Sequence, residues 1–238
     1  MKRKWIRWVS WILLTPIILF VILMVLLYVP PVQNLLRREV TAYASKATGM
    51  QIQVERIDLR FPLNLLVRGV EVIQQPDTLL SLESLNVRVQ AWPLIKGKVE
   101  VDEVTLSRVA VNSADLMEGM KIKGVLGRFF LQSHGVDLSN ELAVINQVEL
   151  SDTHVQLLMN DTTTTPKDTT ASAPINWKVA LHQLKLKNVS FSMQLPTDSM
   201  RMAAHIGEAA IDDAQADLKN QYYDLKKFLL SGTSASYD

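Results

Sequence analysis

Apolar residues in this chain alternate with polar ones as in a β-strand, but the alternation slips by one residue at recurring places. The recurring phrase is apolar-x-apolar-x-x-apolar-x-apolar, found at 52–59, 80–87, 99–106, 143–150, 179–186, 204–211 and 223–230. Side chains of a strand point to alternate faces, so one inserted residue throws the next apolar pair to the wrong face unless the backbone absorbs it. The inserted pairs inside the phrase, among them Glu55-Arg56, Asp102-Glu103 and Asn146-Gln147, are mostly poor turn formers. A bulge or bend in a continuing strand is expected there, and the sheet should curve. A second slip follows the phrase at Ser107-Arg108, Ser151-Asp152, Lys187-Asn188, Asp212-Asp213 and Ser231-Gly232. These pairs are closer to those that close tight hairpins. Hairpins there would set Leu106 opposite Val109 and Leu186 opposite Val189.

The phrases recur at unequal intervals, which excludes a solenoid of fixed repeat length. The pattern therefore predicts a mostly β chain, with one large, curved, antiparallel sheet over residues 50–238. One face is apolar and the other carries Glu, Lys, Asp, Asn, Gln and Ser. Two fates of the apolar face stay open: burial against a second sheet, or exposure along an elongated trough. Its candidate lining is Ile52, Val54, Ile57, Leu59, Leu82, Leu85, Val87, Val99, Val101, Val104, Leu106, Val109, Val111, Ile145, Val148, Leu150, Leu181, Leu184, Leu186, Val189, Phe191, Ile206 and Ile211. Short helical stretches are expected only at 92–95 and 114–120. The phrase at 223–230 is followed by no capping element before Asp238, so further strands are expected beyond it.

The N-terminal 49 residues follow another pattern. Lys2, Arg3, Lys4 and Arg7 precede a stretch without charge from Trp8 to Leu36. Its apolar heart, residues 11–29, matches the roughly 20 helical residues that cross a bilayer. The anchor residues are Trp11, Leu13, Leu14, Ile17, Ile18, Leu19, Phe20, Val21, Ile22, Leu23, Val25, Leu26 and Leu27. Trp5, Trp8, Trp11 and Tyr28 sit at interfacial depth, and the basic cluster holds the N-terminus in the cytoplasm. The segment "YVPPVQNLL" lacks the small-x-small site of a cleavable signal peptide, so the anchor is expected to stay. Residues 31–49 then show helical spacing of Val32, Leu35, Leu36, Val40 and Tyr43, with Gly49 placed to end the helix. This helix either caps the β domain or lies at the membrane surface.

Composition narrows the chemistry. A net charge of +1 with scattered Lys and Arg gives no surface for nucleic acid. The absence of cysteine removes disulfides, thiol nucleophiles and Cys-ligated metals. His134, His154, His182 and His205 lack a second ligand at metal spacing. Gly119, Gly124 and Gly127 do not form a phosphate loop, and there is no G-x-S-x-G. Neither an enzyme nor a cofactor is indicated. Residues 160–174, Thr-rich and bounded by Pro174, read as a disordered loop. Asp-Thr-Thr occurs twice in it, and Thr162 and Thr169 resemble O-glycosylation acceptors used by one group of Gram-negative bacteria.

The N-terminal anchor, "ATGMQIQVERIDLRF", "VRGVEV", "LESLNVRV", "PLIKGKVEVDEVTLSRVAVN" and "SHGVDLSNELAVINQVELSDTHVQL" together resemble the start of the AsmA-like proteins, TamB-like members above all. The resemblance runs through most of the chain and lies in apolar spacing, not in invariant catalytic residues. It implies a bacterial inner-membrane anchor and a periplasmic β-trough, β-taco-like, that conducts phospholipids toward the outer membrane. TamB-like members are also linked to assembly of outer-membrane β-barrel proteins with a barrel partner, bound through a C-terminal part absent from this sequence. Uniform Val, Leu and Ile would hold acyl chains without selecting a head group. Each CH₂ removed from water is worth about 0.8 kcal/mol.

Overall fold

The computed structural model describes residues 28–95, 100–114, 119–137, 141–159, 176–196 and 199–238. The candidate anchor, Val99, and the Thr162 and Thr169 sites lie outside them. Helix α1 (Pro30–Thr48) opens on two prolines, whose fixed φ suits the first helical turn. It ends on Gly49 in the left-handed conformation at φ 70°, with its N–H bonded to the Ser45 carbonyl. A short α2 (Ala91–Ile95) is the other helix among the described residues.

Everything else builds one open sheet of nine strands in sequence order. They are β1 (Gln51–Arg60), β2 (Asn64–Gln74), β3 (Asp77–Val89), β4 (Val101–Asn112), β5 (Met120–Asp137), β6 (Leu142–Met159), β7 (Lys178–Leu195), β8 (Met200–Asp217) and β9 (Tyr222–Tyr237). Six of the seven predicted phrases fall wholly on strands, and residues 101–106 of the seventh fall on β4. Two expectations need correction. The sheet is not wholly antiparallel, because β6 and β7 pair in parallel, Leu142 beside Lys178 and Leu158 beside Gln194. A parallel neighbour needs a connection that returns along the strand, and the long Thr-rich stretch in the sequence supplies the length. The helical stretch expected at 114–120 lies mostly outside the described residues; of its ends, Ala114 and Gly119 are in turns and Met120 opens β5.

The second slips are not hairpins. β4 runs unbroken through Ser107-Arg108, and Leu106 and Val109 are successive inward residues of one strand, paired to Leu85 and Leu82 of β3. Leu186 and Val189 behave likewise in β7. What absorbs the slip is an extra residue in every strand at the same level. Skipped residues face one another all the way across: Glu55, Gly69, Glu83, Arg108, Gly127, Asp152, Asn188, Gly207 and Gly232. Gly69, Arg108, Asp152, Asn188 and Gly232 have φ between 46° and 61°. In the antiparallel pairs, a left-handed residue faces one that is not. Only across the parallel pair do two such residues, Asp152 and Asn188, meet, and there the Asn188 side-chain amide donates to Asp152 at 2.7 Å. Because both partners carry the insertion, register is the same above and below it. This differs from an ordinary bulge, in which two residues oppose one.

A second, less complete level passes through Asp102, Asn146, His182, Asp213 and Lys226. In β5 it becomes a true irregularity around Ser133, which is buried and donates its hydroxyl to the Val101 carbonyl.

Glycine is required at the first level where the neighbour approaches closely. A Cβ on Gly127 would lie 2.7 Å from Asp152 Cβ, whereas one on Gly124, three residues away, would find nothing nearer than 3.6 Å. Gly127→Val is therefore expected to cost about 1–3 kcal/mol of stability through overpacking, and Gly124→Ala to be neutral or slightly stabilising. Urea unfolding of the two variants checks this, and equal midpoints would refute a sterically closed insertion level.

Candidate functional site

Cross-strand register gathers the predicted lining into rows, because directly paired residues share a face. Ile57, Val67, Leu85, Leu106, Phe129, Leu150, Leu186, Ala209 and Leu230 form one row with a member in every strand. Beside it run Leu59, Leu65, Val87, Val104, Leu131, Val148, Leu184, Ile211 and Phe228. These two rows occupy the strip between the two insertion levels. Beyond the first level lie Val54, Leu82, Val109, Val189 and Ile206, then Ile52, Val111 and Phe191. Beyond the second lie Val101, Ile145 and Leu181. At about 4.8 Å per strand, the rows extend roughly 40 Å across the sheet.

No second sheet lies over this face among the described residues, so the sandwich alternative is not what they form. Leu82 and Ala209 are buried and most row members are half-buried, while Val111, Phe191, Leu225, Phe228 and Leu230 are between 40% and 55% exposed. Large aliphatic surface left in contact with water on this scale marks a binding surface in soluble proteins.

The sequence phrase missed two strands. Leu65, Val67, Val70 and Val72 of β2 fit it, masked by the extra apolar residues Leu66 and Ile73. In β5 the first apolar place is Gly124, followed by Leu126, Phe129 and Leu131. Allowing glycine in the pattern would have found it.

The two edges differ. Along β1, α1 side chains satisfy backbone groups that would otherwise be unpaired. Gln33 Nε2 donates to the Leu59 carbonyl at 3.0 Å, Arg37 Nη1 to the Val54 and Glu55 carbonyls at 3.1 and 3.0 Å, and Ser45 Oγ accepts from Ile52 N at 3.0 Å. These bonds protect the β1 edge. At the other side, every residue of β9 is exposed.

Charged side chains also pair across neighbouring strands. His182 Nδ1 and Lys226 Nζ lie 3.1 and 3.3 Å from the two Asp213 oxygens, and Lys227 Nζ lies 3.1 Å from Asp212. The hydrogen bond from His182, then that from Lys226, holds the Asp213 carboxyl below its usual range. Lys227, then Gln183, does the same for Asp212. No group of three metal-binding side chains occurs among the described residues. His134 bonds Asn146 and His205 bonds Ser190, each at 3.1 Å, so both histidines serve the strand ladder. No helix among the described residues is long and apolar enough to cross a membrane. Compared with known proteins, the chain matches no family model and no curated protein.

Lowered carboxyl values mean that these bonds stabilise the fold above the ordinary aspartate range and are lost as pH falls through the folded-state values, below the reference 3.8. Asp213→Asn is accordingly expected to speed amide exchange in β8 and β9 at neutral pH. The difference from the parent chain should vanish once the pH is taken below the aspartate range. A difference that persists unchanged in acid would show that the charge of Asp213 is not what couples these strands.

Proposed function

We propose that this chain is an inner-membrane-anchored, exported lipid-transfer protein whose apolar face conducts phospholipids toward the outer membrane. The observation that carries the reading is the pair of apolar rows that cross all nine strands on a face with no second sheet over it among the described residues. The two insertion levels support a finer shape. Extra residues aligned at one level in neighbouring strands give the sheet a line along which to bend, so two levels fold it into a trough with a floor and two walls. Acyl tails then lie along the floor, across the strands, between the rows of Leu106 and Val104. An aliphatic lining offers burial worth on the order of 10 kcal/mol per tail. It offers no fixed polar partner, so a tail passes from one strand to the next without breaking directional bonds. Phospholipid is the ligand, the inner membrane its source, and no cofactor takes part. The uncharged stretch from Trp8 to Leu36, through its apolar heart at residues 11–29, anchors the chain with its N-terminus in the cytoplasm.

The resemblance of the sequence to TamB-like proteins supports a second reading, an assembly factor for outer-membrane β-barrel proteins acting with a barrel partner.

Photo-reactive side chains at Val104 and Leu184 separate the two. Lipid transfer predicts phospholipid adducts at both in native membranes; adducts with nascent barrel protein and none with lipid would replace it by the assembly reading. Leu106→Glu and Val148→Asp add a second test. In a sealed interior each would cost several kcal/mol, but on an open trough wall each should leave the strand content intact and abolish transfer. Unfolding of both variants would show that protein seals this face and would end the conduit.

A further inference from the structure

The most exposed large apolar side chain among the described residues is Phe61, at 84%, in the turn between β1 and β2. Trp92 of α2 is 70% exposed. The two segments lie at the same end of the strands, joined by the backbone bond from Val89 N to the Leu63 carbonyl at 2.9 Å. Neither aromatic ring is needed for the fold at that degree of exposure. The same turn is tied to the start of the described chain, where the Tyr28 hydroxyl donates to the Pro62 carbonyl at 2.7 Å. Tyr28 directly follows Leu27, the last residue of the candidate anchor. Any bilayer that holds the uncharged stretch therefore places Tyr28 at its interface, and the Phe61 turn within hydrogen-bond reach of Tyr28.

We infer that Phe61 and Trp92 dock this corner of the sheet on the lipid bilayer, both rings lying among the head groups and the exposed Arg60 meeting lipid phosphate. The inference rests on the membrane-anchor reading proposed above and adds to it the surface that sets the sheet on the membrane. A bilayer is the occupant that fits, on three counts. The anchor is covalently continuous with the site. Aromatic rings are the side chains that favour the head-group region. A basic residue beside them complements anionic lipid. Docking here brings the β1 end of the apolar rows against the lipid source, because Leu59 and Leu65 flank the Phe61 turn.

The chain contains no cysteine, so single cysteines at Phe61, Trp92 and Tyr237 take a polarity-sensitive fluorophore at one site each. Tyr237 is 69% exposed on β9, at the far side of the sheet, and serves as the water reference. The full chain is reconstituted into phosphatidylethanolamine–phosphatidylglycerol nanodiscs. Probes at 61 and 92 are expected to show blue-shifted emission, quenching by lipid-borne nitroxide, and a several-fold loss of iodide quenching relative to 237. Discs that retain the chain under alkaline extraction while all three probes stay equally open to iodide would overturn the docking surface and leave the anchor standing. Release of the chain under the same extraction would overturn both. Equal protection of all three probes would also overturn it, since the sheet would then lie along the membrane and not be seated at one corner.

Discussion

Hydrogen-bond register between neighbouring strands is the constraint on which the rest of this sheet depends. A single extra residue in one strand would invert the facing of everything beyond it. Here each of the nine strands carries the extra residue at the same level, so the insertion cancels between neighbours and the facing of the rows is kept on both sides of it, the two rows between the levels being apolar in every strand. The residues at that level follow from local geometry. Glycine stands where a Cβ would strike the adjacent strand, as at Gly69, Gly127 and Gly207. Arg108, Asp152 and Asn188 accept a left-handed backbone, and their side chains pair with neighbours at the same level, Arg108 with Glu83 and Asp152 with Asn188. Each pair recovers across the strands part of what the backbone conformation costs.

A single layer puts the energetic problem elsewhere. An isolated sheet with one aliphatic face buries little: Leu66, Leu79, Leu82, Ala143 and Ala209 are the buried apolar residues among those described. Most of the stabilisation must then come from the ladder itself and from same-face neighbours along each row. The exposed ion pairs Lys226–Asp213 and Lys227–Asp212 add modestly, as solvent screening dictates. Such a face is further stabilised by whatever apolar material occupies it, which links folding to ligand in the lipid reading. The edges complement this economy, with α1 side chains occupying the backbone groups of β1 while β9 stands open.

Much of this was legible in the sequence, and what was not has a definite physical cause. The strand periodicity of 52–59 or 143–150, the ending of α1 at Gly49 and the existence of one apolar face are local properties, set by side-chain alternation and by the left-handed tolerance of glycine. That the candidate residues from Ile52 to Ile211, Val99 apart, share one face was likewise legible, because facing is a matter of parity along a strand. Whether Ser107-Arg108 or Lys187-Asn188 closes a hairpin or lets the strand pass was not local. Residues that tolerate positive φ serve both outcomes, and only the partner strands decide between them. The parallel pairing of β6 and β7, the alignment of nine insertions into one level, and the absence of a second layer over the face among the described residues are likewise properties of long-range pairing. The sequence by itself determined which side of each strand is apolar; the tertiary structure alone decided that those sides join into continuous rows, since register is fixed between strands and never within one.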